Sequence, residues 1–143
     1  MIKLKQPIMV FNITIDREEI SYIEAPNGKA MIIPFGGTVE SEYFTGKVLP
    51  GAADVQVTNA AGIRHMCAQY MFEGVDREGK PCHLFVKNDG FFEPNSNPQP
   101  FKAYPTLMTD SESLSPYFSQ ARFRAEGHGT ENGVDIYIFD TLE

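Results

Sequence analysis

Asp54 is a lone carboxylate in the stretch Pro50-Gly51-Ala52-Ala53-Asp54, between a proline-glycine turn and a segment with strand character. A carboxylate there has two chemical uses. In one, it accepts backbone N–H groups of the Pro50 to Ala53 turn, a common task for aspartate in loops. In the other, it projects into an enclosed space as a general base, or as an anchor for a ligand hydroxyl or cation, with its proton affinity set by burial. Tyr70 supplies the hydroxyl that such a base would work beside, and the two are the candidate catalytic pair. Asn88 has an amide that burial obliges to hydrogen-bond, either to a ligand or to the loop that starts at Asp89. Arg64 shares the parity of Tyr70, and either lends its charge to the same space or snorkels to solvent. Tyr104, Tyr117 and Ser119 are candidates for an aromatic and hydroxyl wall, so the ligand-binding set is Arg64, Asn88, Tyr104, Tyr117 and Ser119.

His65, Cys67, Cys82 and His83 have metal-binding side chains, but their spacing matches no zinc signature. No metal and no cofactor is expected. There is no G-x-S-x-G elbow, no glycine-rich phosphate loop leading into a helix and no H-E-x-x-H. Glu40 and Glu42 share a strand face, which more often marks a solvated surface than paired-carboxylate chemistry. Cys67 lacks an activating helix terminus or a designated base.

The elements that must position these residues are short alternating segments separated by turn residues, with no sustained helical period. Strands are predicted over Ile8 to Ile15, Ala30 to Pro34, Thr38 to Leu49, Asp54 to Thr58, Ile63 to Phe72, Pro81 to Asn88, Phe101 to Met108, Ser119 to Glu126 and Val134 to Phe139. Gly36-Gly37 reads as a turn, Asp89 to Pro100 as a long loop, and Thr109 to Tyr117 has room for one short helical turn.

One hairpin sets inside and outside. Asp76-Arg77-Glu78-Gly79 has the pattern of a bulged hairpin, with aspartate opening a type I turn and glycine in the left-handed position. Phe72 then faces Leu84, Tyr70 faces Val86 and Ala68 faces Asn88. This even-numbered side is the apolar one, so it is the buried one. Cys67 points out and Cys82 points in, about seven residues or roughly 23 Å apart along the ribbon, too far for a disulfide. The same separation keeps His65 and Cys67 from Cys82 and His83. Arg122 and Arg124 alternate with Phe123 and Ala125 and are expected outside.

Antiparallel segments in simple succession close most readily into an up-and-down β-barrel of about eight strands, which removes exposed edges and has a lumen that side chains fill or that holds one small ligand; a sandwich is the alternative. A chain of 143 residues buries a full core as one domain, 1–143. A net charge of −7 repels a phosphate backbone and an anionic lipid surface, so neither nucleic acid nor membrane is an expected partner. The apolar run Ile8 to Phe11 is too short for a secretory leader, and a cytoplasmic chain with reduced thiols is expected. Outward apolar residues such as Met71, Phe85, Tyr137 and Phe139 point to a homo-oligomer.

Gly36-Gly37, Gly46, Pro50-Gly51, Asp54, Tyr70, Asn88, Gly90, Pro105, Phe123, Gly127 and Gly133-Val134 together resemble a widespread family of small bacterial proteins known only as a domain of unknown function. The resemblance spans about Gly36 to Phe139 and implies a closed barrel of the calycin or allene-oxide-cyclase type, with no general activity attached. Val55 stands where the family usually has Trp, Gln69 where it often has Arg, and Tyr117-Phe118-Ser119 where a Trp-Leu-Asn run is usual. The expected function is therefore binding of a small organic molecule in the lumen. It is either an isomerase-like or lyase-like enzyme that moves protons in a cyclic or conjugated substrate, or a carrier without chemistry. An oligomeric accessory protein with a plugged lumen is the third reading.

Overall fold

In the computed structural model, which describes residues 5–142, alternating sequence becomes strand almost throughout. Among the described residues the strands are β1 (Met9–Ile15), β2 (Ser21–Ala25), β3 (Gly28–Glu40), β4 (Phe44–Val48), β5 (Ala53–Asn59), β6 (Arg64–Asp76), β7 (Pro81–Phe92), β8 (Phe101–Thr109), β9 (Phe123–Gly129) and β10 (Gly133–Asp140). One short helix, α1 (Ser115–Phe118), lies between β8 and β9. The pairings are antiparallel, and β1 closes the sheet by bonding to β10 on one side and β3 on the other. β4 and β5 both bridge β3 and β6, so they form one interrupted stave, and β2 pairs with β3 alone. Setting β2 aside and counting β4 with β5 leaves a closed barrel of eight staves.

The bulged hairpin forms as the turn chemistry requires. Gly79 has φ 76°, Asp76 Oδ1 accepts the N–H groups of Glu78 at 2.9 Å and Lys80 at 3.1 Å, and the Asp76 N–H donates to the Lys80 carbonyl at 3.0 Å. Phe72 pairs with Leu84, Tyr70 with Val86 and Ala68 with Asn88, and all but the half-buried Ala68 are buried. Cys67 and Cys82 are both free thiols.

Several regions depart from the sequence reading: Ser21–Ala25 forms a strand outside the expected set, β7 runs on to Phe92 into the expected Asp89 to Pro100 loop, and the expected strand Ser119 to Glu126 begins only at Phe123. Gly36-Gly37 is no turn: it lies within β3, whose first half pairs with β2 and β5 and whose second half pairs with β1 and β4. A side chain at Gly37 would overlap the Asn12 carbonyl, so glycine here admits the neighbouring strand and lets β3 bend from one set of partners to the next. The predicted strand Thr38 to Leu49 is split instead at Ser41, whose hydroxyl accepts the N–H of Tyr43 at 3.2 Å and of Phe44 at 3.1 Å in a tight turn. Gly46 and Gly74 then face each other across β4 and β6, where no Cβ would fit.

The lumen is filled unevenly. Phe11, Phe44, Phe72, Leu84 and Ile138 are fully buried toward one end, and Leu114 and Phe118 of the α1 segment plug it. The other half, around Ala68 and Val134, is where space remains. Among the described residues no helix is long and apolar enough to cross a membrane.

Candidate functional site

Strand pairing brings the polar candidates together before any side chain is considered. Asp54 pairs with Ala68, and Ala68 pairs with Asn88, so the three share one row across β5, β6 and β7. Adjacent strands are about 4.8 Å apart, which sets Asp54 and Asn88 about 10 Å apart with only a methyl group between them. Tyr70 stands two residues along β6 on the same side. The small side chain at Ala68 leaves a cavity of about 50 Å³ here, lined by Asp54, Tyr70 and Asn88 and otherwise by apolar groups such as Ile13, Met66 and Phe101.

The hydrogen-bond inventory of this cavity is incomplete. Asp54 Oδ2 accepts the Gln56 side-chain N–H at 2.8 Å, and Gln56 Oε1 accepts Arg64 at 3.3 Å. Asp54 Oδ1 and Asn88 Oδ1 are both buried and, among the described residues, accept nothing. Buried polar atoms are nearly always satisfied, so two such oxygens on one cavity mark a place for a donor. The Pro50 to Ala53 turn gives Asp54 no backbone N–H, so the loop-tying use of this carboxylate is not the one realised.

Burial pushes the Asp54 carboxyl above the usual carboxylate range, while the Gln56 N–H and the charges of Arg64 and His65 pull it back. Tyr70 is buried among Phe11, Phe35 and Phe72, with ring centroids 6.0, 4.9 and 5.6 Å away. Burial first, and then the Asp54 charge, push its phenol far up, so it stays protonated and keeps an O–H to donate. A carboxylate of raised basicity, a neutral phenol and an amide in an apolar space can take, return and stabilise a proton.

Arg64 is at the mouth end of β6, its guanidinium 4.4 Å from the Phe92 ring centroid, and its hydrogen-bond link to Asp54 runs through Gln56. Gln56 escaped the sequence reading, although its two-residue spacing from Asp54 puts both on one face of β5. The structure does not bring the other three candidates to the cavity. Tyr104 is 60% exposed, because Ala103 and Leu107 take the inward parity of β8, and it packs under Arg124 on the outside. Ser119 is exposed and its hydroxyl donates to the Ser115 carbonyl at 2.6 Å, capping α1. Tyr117 sits at the plugged end, stacked on Tyr43 at 5.3 Å and donating to Asp140 at 2.7 Å. Arg122, expected outside, instead binds the buried Asp140 through Nε at 2.8 Å.

The register holds His65 and Cys67 at one end of the hairpin, opposite Phe91 and Asp89, and Cys82 and His83 at the other. Larger hollows lie on the outer surface, among them a groove of about 530 Å³ between the turns at Pro26 and Ala60 and the loop at Pro94.

Residues 5–134 match the family described as "Protein of unknown function (DUF3237)". The chain belongs to that family. Solved structures similar to this DUF3237 member share its fold. A protein with unknown function from Clostridium acetobutylicum ATCC 824 is 21% identical, with a TM-score of 0.74 over 96% of this chain and 98% of that one. A conserved protein of unknown function from Rhodopseudomonas palustris is 22% identical, with a TM-score of 0.72 over 94% and 95%. A beta-barrel like protein from Acinetobacter baumannii AYE is 18% identical, with a TM-score of 0.72 over 95% and 94%. No curated protein matches the sequence. The DUF3237 barrel is thereby shown.

Proposed function

We propose that the barrel is a small-molecule-binding protein of the cytoplasm and that Asp54, Tyr70 and Asn88 hold the ligand. One observation carries this reading: two buried oxygens, Asp54 Oδ1 and Asn88 Oδ1, face the same cavity without a donor among the described residues. The ligand is a small cyclic or conjugated molecule bearing a hydroxyl or N–H, with an apolar body against Ile13, Met66 and Phe101. Asp54 is positioned as the base of an isomerase-type or lyase-type proton transfer, with the Tyr70 hydroxyl or the Asn88 amide steadying the charge that develops. The same contacts without turnover describe a carrier.

The cavity of about 50 Å³ holds one or two waters. A larger guest enters by displacing Phe35 and Phe101, which line the cavity and are only half-buried. A fragment screen by ¹H–¹⁵N NMR tests the reading: hydroxylated ring compounds should shift the amides of Asp54, Ala68, Tyr70 and Asn88. Ala68→Leu fills the gap at an overpacking cost of about 1–3 kcal/mol, and should leave a folded barrel that no longer responds. A library that moves none of these amides, or a response that survives Ala68→Leu, would rule the lumen out.

The outer surface supports a second reading, self-association. Val57 and Phe91 flank His65 on neighbouring strands and are 46% and 68% exposed, with Val55 and Tyr104 in the adjoining row. Sedimentation velocity should give an oligomer of the 16.0 kDa chain, and Phe91→Glu should return it to monomer. A monomeric wild type removes this reading and leaves the lumen site untouched.

A further inference from the structure

On the outer face of the barrel, Cys67 of β6 pairs directly with Asp89 of β7, and His65 lies one step along β6 on the same side. His65 Nε2 is 2.9 Å from Asp89 Oδ1. One donor atom from each of the three residues lies within 4.8 Å of the other two. The His65 ring is stacked on Phe91 with centroids 4.4 Å apart and planes 8° apart, which fixes the direction of its nitrogen. Val55 and Val57 of β5 pair with Cys67 and His65 and wall the cluster on one side.

We propose that His65, Cys67 and Asp89 form a binding site for one divalent transition-metal ion of the zinc type. In a tetrahedral site, bonds of about 2.0–2.3 Å hold ligand atoms roughly 3.3–3.7 Å apart, so modest side-chain rotations close the cluster onto an ion. The ion would take the place of the proton between His65 Nε2 and Asp89 Oδ1, and the Cys67 thiol proton leaves to solvent as the thiolate binds. A nitrogen, a sulfur and an oxygen donor suit zinc, cobalt, nickel or copper and not calcium or magnesium. The competing contacts are weak: the Gln69 side-chain N–H donates to Cys67 Sγ, a poor acceptor, at 3.6 Å, and Lys87 Nζ is 3.8 Å from Asp89 Oδ2, whereas His65 meets Oδ1. Three protein ligands leave a fourth position, and the partly exposed His65 and Asp89 side chains, at 40% and 28%, open it to solvent. The site lies across the sheet from the lumen and does not depend on the reading given to it.

Cobalt(II) titration of the reduced full-length protein should produce a thiolate-to-cobalt charge-transfer band in the near ultraviolet, saturating at one ion per chain. Zinc should displace it. Cys67→Ser should abolish the band, and His65→Ala and Asp89→Asn should each weaken zinc binding about tenfold or more, measured against a chromophoric chelator. Zinc should also raise the melting temperature of the wild type and not of Cys67→Ser. Absence of the band in the wild type, or its survival in Cys67→Ser, overturns the site. So does unchanged zinc affinity in both His65→Ala and Asp89→Asn, all three variants being outer-face changes whose folding circular dichroism verifies.

Discussion

Asp140→Ala is expected to lower stability by about 3 kcal/mol, the low end for breaking a buried ion pair because the Arg122 side chain keeps 28% of its exposure. Asp140 is 1% exposed and uses both oxygens fully. Oδ1 accepts Arg122 Nε at 2.8 Å and the Leu142 N–H at 3.0 Å, and Oδ2 accepts Arg122 at 3.0 Å and the Tyr117 hydroxyl at 2.7 Å. Alanine takes the acceptor from a guanidinium, a phenol and a backbone N–H at once, where α1 and the end of β10 close the barrel. Urea unfolding monitored by tyrosine fluorescence measures the loss.

The pH dependence has a definite sign. The Arg122 hydrogen bonds, opposed by burial, hold the Asp140 carboxyl far below the usual range. Between the unfolded value near 4 and the depressed folded value, the unfolded chain binds more protons than the native one, so stability falls as pH falls. Above that window the contribution is fully present. Asp140→Asn should remove this part of the acid slope, and an unchanged slope would show that the carboxylate is not ionised in the fold.

Asp54→Asn is expected to act in the opposite direction on stability, and, under the function proposed for the lumen, to impair it. If the lumen moves protons, loss of the base costs about 10²–10⁴-fold in turnover. For a ligand that donates to Asp54, loss of a charged hydrogen bond weakens binding about tenfold or more. Thermal stability at neutral pH should rise, because a carboxylate held above its usual range by burial destabilises the native state when ionised. For this group the native state binds the extra proton, so wild-type stability falls as pH rises through the window above the unfolded value. The variant should lack that fall. Melting curves across the acid range for both proteins decide the matter, and a variant less stable than wild type at neutral pH would return Asp54 to a structural role.

The turn Asp76-Arg77-Glu78-Gly79 was enough to settle the β6 and β7 register, because an aspartate opener and a left-handed glycine leave one pairing that keeps Phe72, Tyr70, Leu84 and Val86 on a single side. From that parity, Asn88 inside and Cys67 outside follow by alternation alone. The all-β class and closure into a barrel are likewise local in origin, since many short alternating segments must pair with their neighbours and lose their edges.

What alternation cannot convey is which distant residues meet when the sheet closes. Gly36-Gly37 looks like a turn in isolation and becomes the bend of a long strand only because β1 arrives alongside it. Arg122 alternates as if outward, yet Asp140, 18 positions away, draws it in, and Tyr117 follows to that end instead of the cavity. Tyr104 faces out because the pairing of Ala103 with Ala125 sets the parity of β8, a relation absent from its own segment. Sequence periodicity determined the all-β class and the β6–β7 parity, and with it the inward Tyr70 and Asn88, for these depend on neighbours within one ribbon. The tertiary structure alone decided that Asp54, Ala68 and Asn88 form one row, that Gln56 and Arg64 back it, and that Asp89 joins His65 and Cys67. Each of those meetings is fixed by inter-strand register and barrel closure, which place residues by their partners across the sheet and not by their positions along the chain.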